Sequence, residues 1–253
     1  MNWIGLNTLI RREVGRFFSV YRQTVLPGLI TSALYIAIFG FTLEQRISEI
    51  QGIPYTLFIL PGLIMMNTLT NATANTSSSM LQMKLLQQLP DLLTAPLSGL
   101  EISLAYIIGG TVRGVVNGIL VLLLGVLLIG MPVADPIGTL VFIFLVSWAF
   151  ASMGLLLGQL AESWDQLAML QNFFLTPLSF LGGIFYSIDM LPKWAQTLSM
   201  VNPIYYMING IRYTILETSD SSVEISFGMA VFLTLLFTAL AIIMMQSGKR
   251  IKQ

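Results

Sequence analysis

Long stretches without charged residues constrain this chain more strongly than any other feature of its sequence. An α-helix rises about 1.5 Å per residue, so about 20 apolar residues cross the hydrocarbon layer of a membrane. Arg113 is the only charged residue inside the stretches that reach this length. They predict six membrane spans, at about residues 23–43, 55–80, 102–130, 137–160, 166–188 and 225–247. The pattern predicts an all-α membrane protein with one domain over residues 1–253.

The composition excludes several functional classes. Only 9% of the 253 residues are charged, whereas a soluble domain carries about 25%. Cys and His are absent, which removes disulfides, thiolate and imidazole metal ligands, and catalytic groups built on a His base. No GxxxxGK[ST] loop is present, because Arg250 stands where the loop that would contain Lys249 needs Ser or Thr. We therefore expect no catalytic residue, no metal site, no cofactor bound by this chain and no nucleic-acid partner.

Basic residues predict the orientation of the chain, because Lys and Arg favour the cytoplasmic side of short loops. An even number of spans puts both ends of the chain on one side. That side would hold eight basic residues: Arg11, Arg12, Arg16, Arg22, Lys84, Lys249, Arg250 and Lys252. The opposite side would hold three: Arg46, Lys193 and Arg212. We therefore expect both termini to be cytoplasmic.

Residues 1–22 form a predicted amphipathic helix that precedes the first span. Its apolar residues recur at steps of three and four and so share one face: Trp3, Leu6, Ile10, Val14, Phe17, Phe18 and Tyr21. Arg12 and Arg16 are predicted to point away from that face. Such a helix lies in the lipid headgroup layer. It is either a simple membrane anchor or a lever that also contacts a cytoplasmic partner.

The second loop, residues 84–98, is rich in leucine. Leu81, Leu85, Leu89 and Leu92 or Leu93 are predicted to lie along one helical stripe, and Pro90 followed by Asp91 suits the start of a helical turn. An exposed apolar face implies a docking partner. The predicted contact residues are Leu85, Leu86, Leu89, Pro90, Asp91, Leu92 and Leu93.

The loop that follows the fifth predicted span, residues 189–222, is rich in aromatic residues and methionine. Trp194, Tyr205 and Tyr206 suit the depth of the lipid headgroups. We expect half-inserted helices at the outer face of the membrane. A loop fully exposed to water is the alternative.

Polar residues inside the spans mark a candidate path. A charge such as that of Arg113 costs about 2.5–3.5 kcal/mol at the centre of a span, so it must be paired or face water. Its candidate partners are the side chains of Asn67, Asn71, Asn75 and Asn117, or a ligand anion. The first three recur every four residues and share one side of the second span. Asn172 and Thr176 repeat this spacing on the fifth. Substrate contact and hydrogen bonding between helices both explain the pattern.

Two motifs resemble those of the permease subunits of ABC-2-type exporters. The first, within residues 175–216, consists of Pro177, Gly182, Gly183, Phe185, Tyr186, Leu191, Pro192, Trp194, Asn202, Pro203 and Arg212. The second is the sequence LLTAPLS at residues 92–98. The six predicted spans and the amphipathic N-terminal helix agree with this resemblance.

The resemblance implies an architecture like that of type V, or G-type, exporters. Two permease chains would pair as a homodimer, and two copies of a separate ATPase, which binds ATP and Mg²⁺, would dock on the cytoplasmic side of the bacterial inner membrane. Residues 1–22 would be the connecting helix, 84–98 would contain the coupling helix, and 189–222 would form short re-entrant outer helices. Gly182, Gly183, Phe185 and Tyr186 would belong to the outer gate.

The resemblance also implies the export of an amphipathic substrate: a drug, a lipid or a lipid-linked glycan. Asn67, Asn71, Asn75, Arg113, Asn172 and Thr176 are the candidate residues of its path. One alternative is a membrane scaffold or sensor that binds an ATPase without transporting anything. Another is a secondary transporter, which the lack of carboxylates inside the spans disfavours.

Overall fold

The computed structural model describes residues 1–43 and 49–247. Its eleven α-helices are α1 (Trp3–Ser19), α2 (Tyr21–Tyr35), α3 (Tyr55–Leu85), α4 (Leu89–Thr94), α5 (Gly99–Ile129), α6 (Pro136–Leu160), α7 (Trp164–Leu170), α8 (Thr176–Leu181), α9 (Lys193–Val201), α10 (Pro203–Leu216) and α11 (Val223–Ser247). A π-helical segment, Ile36–Leu43, continues α2, and another, Gln171–Leu175, joins α7 to α8. Ile188–Met190 is a 3₁₀ turn. The short strands β1 (Glu49–Ile50) and β2 (Ile53–Pro54) pair antiparallel.

Five helices in the described part of the chain are long and apolar enough to cross a membrane. They are Tyr21–Phe39, Tyr55–Leu85, Gly99–Ile129, Pro136–Leu160 and Val223–Ser247. The prediction of an all-α membrane protein is therefore confirmed. The fifth predicted span, 166–188, is divided among α7, the π-helical segment and α8, and helix ends at Leu181. A sixth crossing remains a prediction.

Helix α3 is the centre of the bundle, with α5 and α6 packed against it. Glycines allow this close packing, since small residues let two helix backbones approach. A Cβ atom added at Gly154 of α6 would lie 2.8 Å from the Cα of Thr73 on α3. At the same contact Thr73 and Thr76 donate hydrogen bonds from their hydroxyls to the main-chain oxygens of Phe150 and Ala151, over 3.2 and 2.8 Å. Both hydroxyls also lie within hydrogen-bond distance of main-chain oxygens of α3, so the contact joins the two helices while each buried hydroxyl remains hydrogen-bonded.

Helix α1 lies on the bundle and is more than a surface anchor. Leu6 and Phe17 are buried against the protein, and so is the carboxylate of Glu13. Arg12 and Arg16 were predicted to point away from the contact face, but both form ion pairs with Glu13, at 2.7 and 3.7 Å. That prediction is corrected for a physical reason: a buried carboxylate requires cationic partners, so both arginines turn toward it.

The beginning of α1 is tied to the beginning of α5. Asn2 caps α1 through its side-chain oxygen, which accepts a hydrogen bond from the backbone N–H of Gly5 at 3.0 Å. The backbone N–H of Asn2 donates to the carboxylate of Glu101. Glu101 also forms a capping box with Ser98 at the start of α5. The end of the leucine-rich loop is therefore fixed to the N-terminal helix.

The leucines of residues 81–93 do not form one stripe, which corrects the prediction. Helix α3 ends at Leu85, and Gln87 adopts a left-handed backbone with φ of 55° before α4 begins. This turn separates the leucines into two groups. Leu89 is buried in the bundle, while Leu85, Leu86 and Leu93 are 44%, 56% and 36% exposed.

Candidate functional site

A cavity with both polar and apolar residues in its lining lies between α2, α3 and α5. Its volume is about 290 Å³. The polar side chains that line it are Gln23, Thr24, Thr31, Ser32, Asn67, Thr70, Asn71 and Arg113. Leu63 and Met66 form an apolar part of the cavity wall. Three of the predicted path residues, Asn67, Asn71 and Arg113, are thus brought together in one cavity.

Arg113 reaches across from α5 to α3. Its Nε and Nη2 atoms both donate to the side-chain oxygen of Asn71, over 3.1 and 3.0 Å. The amide nitrogen of Asn71 donates in turn to the side-chain oxygen of Asn67 at 2.9 Å. Asn117, another predicted partner, donates instead to the main-chain oxygen of Arg113. The guanidinium is therefore oriented by an amide oxygen and not by a carboxylate.

Asn75 is separated from the cavity, although it continues the Asn67–Asn71 spacing. It is buried, and its main-chain and side-chain oxygens accept hydrogen bonds from Nη2 of Arg16 on α1, over 2.7 and 3.2 Å. The asparagines of α3 therefore serve two different neighbours. Asn71 holds an arginine of α5, and Asn75 holds an arginine of α1.

A smaller cavity, of about 90 Å³, contains the other two predicted path residues, Asn172 and Thr176. Met66 and Thr70 of α3 line both cavities. The exposed edge of α3 thus connects the cavity at Arg113 to the helix formed by α7, the π-helical segment and α8, called the broken helix because the π-helical segment interrupts its α-helical hydrogen bonding. The five path residues other than Asn75 lie along this edge.

The π-helical segment between α7 and α8 includes Asn172. Thr176 follows directly as the first residue of α8, and Pro177 as the second. Gln171 donates from its side-chain nitrogen to the hydroxyl of Ser77 on α3 at 2.9 Å. Departure from regular helix is common at functional sites. Here it accompanies the polar residues of the smaller cavity.

Residues of the predicted outer gate form an aromatic cluster above the bundle. The ring of Phe185 lies 5.0 Å from that of Phe39, 5.6 Å from that of Tyr35 and 5.8 Å from that of Phe180, measured between centroids. The hydroxyl of Tyr186 donates to the main-chain oxygen of Phe180 at 3.0 Å. The turn that contains the gate residues therefore joins α8 to the end of α2.

Arg212 is hydrogen-bonded to the turn that contains the predicted gate residues. It is fully buried, and its Nη2 donates to the main-chain oxygen of Gly183 at 2.6 Å. Its guanidinium carbon lies 4.0 Å from the ring centroid of Phe58, a cation–π contact. The prediction counted Arg212 among the cations of the outer side; the structure shows that this side chain is buried, and the side of the membrane remains a prediction. Gly183 has φ of +79°, which a residue with a side chain rarely adopts.

The sequence reasoning missed the contribution of α2 to the larger cavity. Thr24, Thr31 and Tyr35 line it, together with Gly28. These residues recur at steps of three and four, so they lie on one side of the helix. That spacing, in a span that otherwise appears uniformly apolar, was the signal that could have identified them.

Comparison with known proteins identifies the family to which this chain belongs. The family model described as "ABC-2 type transporter" matches residues 5–216. The chain belongs to the ABC-2 type transporter family. It is 36% identical over 250 residues to the "Inner membrane transport permease YadH" of Escherichia coli (strain K12), covering 99% of this chain and 98% of that protein. It is 24% identical over 225 residues to "Nodulation protein J" of Sinorhizobium fredii, covering 88% of this chain and 85% of that protein.

Both segments that carry the resemblance, residues 92–98 and 175–216, lie within the matched range, so the ABC-2 match confirms the resemblance. The chain is a multi-pass inner-membrane transport permease of the ABC-2 type, a transmembrane component of such a system. The two cavities and the aromatic turn therefore belong to a transport protein.

Proposed function

We propose that this chain forms the translocation path of an ATP-binding-cassette export system as one of two identical permease subunits. Two copies of a separate ATPase, which bind ATP and Mg²⁺, would supply the energy. The observation that carries this proposal is the polar edge of α3, which runs from Arg113 to the broken helix at Asn172 and Thr176. A row of polar side chains beside two adjoining cavities suits a path through the membrane.

The path would be completed by the second copy. Large side chains on the broken helix are exposed beside the smaller cavity, among them Phe173 at 74% and Phe174 at 61%. Helix α2, on the other side of the larger cavity, is also largely unburied. A partner chain set against these two elements would cover both cavities. The aromatic turn at Phe185 would then close the outer end.

The ATPase would dock at the exposed leucines near α4. Leu86 and Leu93 are available to a partner, whereas Leu89 is buried and supports the helix from behind. The backbone of Asn2 is bonded to Glu101 at the end of the same loop. A displacement of α4 would therefore be transmitted to α1 and α5 together, which is consistent with a lever role for α1.

Both termini would be cytoplasmic. The basic residues Arg12 and Arg16 contact α3 and α5 on the side of the bundle that carries α4, which supports this orientation. Lys84, at the end of α3, donates to the main-chain oxygens of Gln159 and Ala161 at the end of α6. Arg46, Lys249, Arg250 and Lys252, on which the orientation prediction also relied, lie outside the described residues.

An experiment with purified components tests the proposal. The chain and its ATPase are reconstituted in liposomes. Uptake of a fluorescent amphiphile is then measured with and without external ATP, which reaches only those ATPase subunits that face outward. We expect uptake that requires both proteins and ATP. Uptake by the permease alone would instead indicate a secondary transporter. Binding of the ATPase without any vectorial uptake, across a panel of drugs, lipids and lipid-linked glycans, would indicate a scaffold or sensor.

A further inference from the structure

Arg113 carries a charge that no residue in ranges 1–43 and 49–247 neutralises through an ion pair. It is the fifteenth of the 31 residues of α5, so it lies near the middle of that span. Both ion pairs in the described ranges involve Glu13, on α1. An unneutralised cation at this depth is costly and is typically retained for a function.

The surroundings of Arg113 orient its charge without cancelling it. Asn71 accepts two hydrogen bonds from the guanidinium through one amide oxygen, and an amide has no net charge. Asn67 fixes the amide of Asn71 in this orientation. The pair is therefore a pre-positioned donor group, and the geometry leaves a net positive charge at the cavity wall.

The cavity beside Arg113 has other features that suit an anion with an apolar tail. Among the described residues, its lining includes no Asp and no Glu, while the hydroxyls of Thr31 and Ser32 lie on the facing helix. Leu63 and Met66 form an apolar side of the same cavity. A volume of about 290 Å³ suits a head group together with the beginning of its chain.

We propose that Arg113 binds the anionic head group of the transported amphiphile, a phosphate or a carboxylate. The apolar tail would lie against Leu63 and Met66. Guanidinium is the side-chain group best matched to such oxyanions. This inference rests on the proposed function and narrows its substrate class from amphiphiles in general to anionic ones. Neutral and cationic amphiphiles of equal chain length would bind more weakly.

A binding measurement on the full-length permease in nanodiscs of neutral lipid tests this. The probe is a fluorescently labelled fatty acid, compared with its methyl ester. We expect the carboxylate to bind about tenfold more tightly than the ester, the factor for one charge-assisted hydrogen bond. Arg113→Gln should abolish that difference. The matched control Arg22→Gln removes an exposed cation outside the cavity lining and should leave the difference intact.

A second variant keeps the test informative if Arg113→Gln does not fold. Asn71→Asp places a carboxylate at the atom that already accepts both hydrogen bonds from Arg113. It also removes the donor that Asn71 offers to the side-chain oxygen of Asn67, whose own amide can rotate to donate to the carboxylate instead. An internal ion pair should preserve the fold and lower the affinity for the fatty acid about tenfold. A purely structural pairing of Arg113 with Asn71 predicts no change in head-group preference. That result would overturn the proposal.

Competition identifies the class of anion. Dodecyl phosphate is expected to displace the probe at far lower concentration than inorganic phosphate, because only the former has a tail. Equal displacement by the two would overturn the assignment to an amphiphile. Since binding is measured without the ATPase, a lack of ATP-driven uptake would contradict the proposed function while leaving this result unaffected. A wild-type permease without head-group preference would contradict only the present inference.

Discussion

The Nη2 atom of Arg16 lies 2.7 Å from the main-chain oxygen of Asn75 and 3.2 Å from its side-chain oxygen. A helix with the sequence of a membrane-surface anchor is thus hydrogen-bonded to the central helix of the bundle. One turn earlier on α3, the side-chain oxygen of Asn71 accepts from both Nε and Nη2 of Arg113. Two arginines from different helices are therefore hydrogen-bonded to adjacent turns of α3. Arg16 of α1 lies outside the cavity, and Arg113 of α5 lines it.

We expect the buried carboxylate of Glu13 to stabilise the docking of α1. It pairs with Arg12 and accepts a hydrogen bond from the hydroxyl of Ser79 at 2.7 Å. Glu13→Ala leaves two cations without their anion and should cost about 1–3 kcal/mol, below the full cost for a buried pair because both arginines are partly exposed. Thermal unfolding in detergent measures this. The exposed Glu162→Ala is the matched control, and an equal loss in both variants would contradict the prediction.

The packing of α6 on α3 should depend on Gly154. A methyl group there would press on Thr73, so Gly154→Ala should lower stability by about 1–3 kcal/mol, as overpacking does. Gly228 of α11 has open space around it. Gly228→Ala should therefore be neutral or slightly stabilising, because Ala favours helix over Gly. Unfolding curves of the two variants should diverge, and a stable Gly154→Ala protein would refute the close-packing argument.

Arg212 should determine how firmly the outer turn is held. Arg212→Met leaves the main-chain oxygen of Gly183 without its donor, which costs about 1–3 kcal/mol. Hydrogen exchange of the backbone amides in residues 183–188 should then become faster. Lys193→Met, which removes an exposed cation of α9, should leave exchange in that turn unchanged. Unaltered protection in Arg212→Met would show that the turn is held by other contacts.

Two neighbouring leucines should respond differently to the same substitution. Leu89→Asp buries a charge in the bundle and should unfold or aggregate the permease, whereas Leu93→Asp changes an exposed side chain and should leave unfolding unaltered. Under the proposed docking, Leu93→Asp should weaken co-purification of the ATPase about tenfold or more. Leu198→Asp, exposed on α9, is the control. Retained ATPase binding in Leu93→Asp would place the docking surface elsewhere.

Much of the fold could be predicted from the sequence. Five candidate spans lie where uncharged stretches occur, since the cost of placing a charge in lipid can be read from each residue separately. The fifth predicted span is different, because its helix changes to π-helical geometry at Gln171–Leu175, directly before Thr176 and Pro177. Hydropathy alone does not register such a change.

The candidate site could be predicted only in part. The spacing of Asn67, Asn71 and Asn75 indicated one polar side of α3, but not that Asn75 faces another helix. Likewise, the leucine-rich loop was recognisable as a contact segment, while the turn at Gln87 decided which leucines are exposed. Helix periodicity gives the relative direction of side chains on one continuous helix. It does not give the residues that those side chains contact, and it no longer applies across a turn that ends the helix.

By itself, the sequence determined that this chain is a helical membrane protein without metal-binding Cys or His, without a nucleotide-binding loop, and with two motifs of the ABC-2 family. Only the tertiary structure decided the partners: Arg113 with Asn71, 42 residues apart, and Arg212 with Gly183, 29 residues apart. The reason is physical. Hydropathy is a property of each segment, whereas the pairing of polar groups depends on how the helices are rotated and packed, which only their mutual contacts determine.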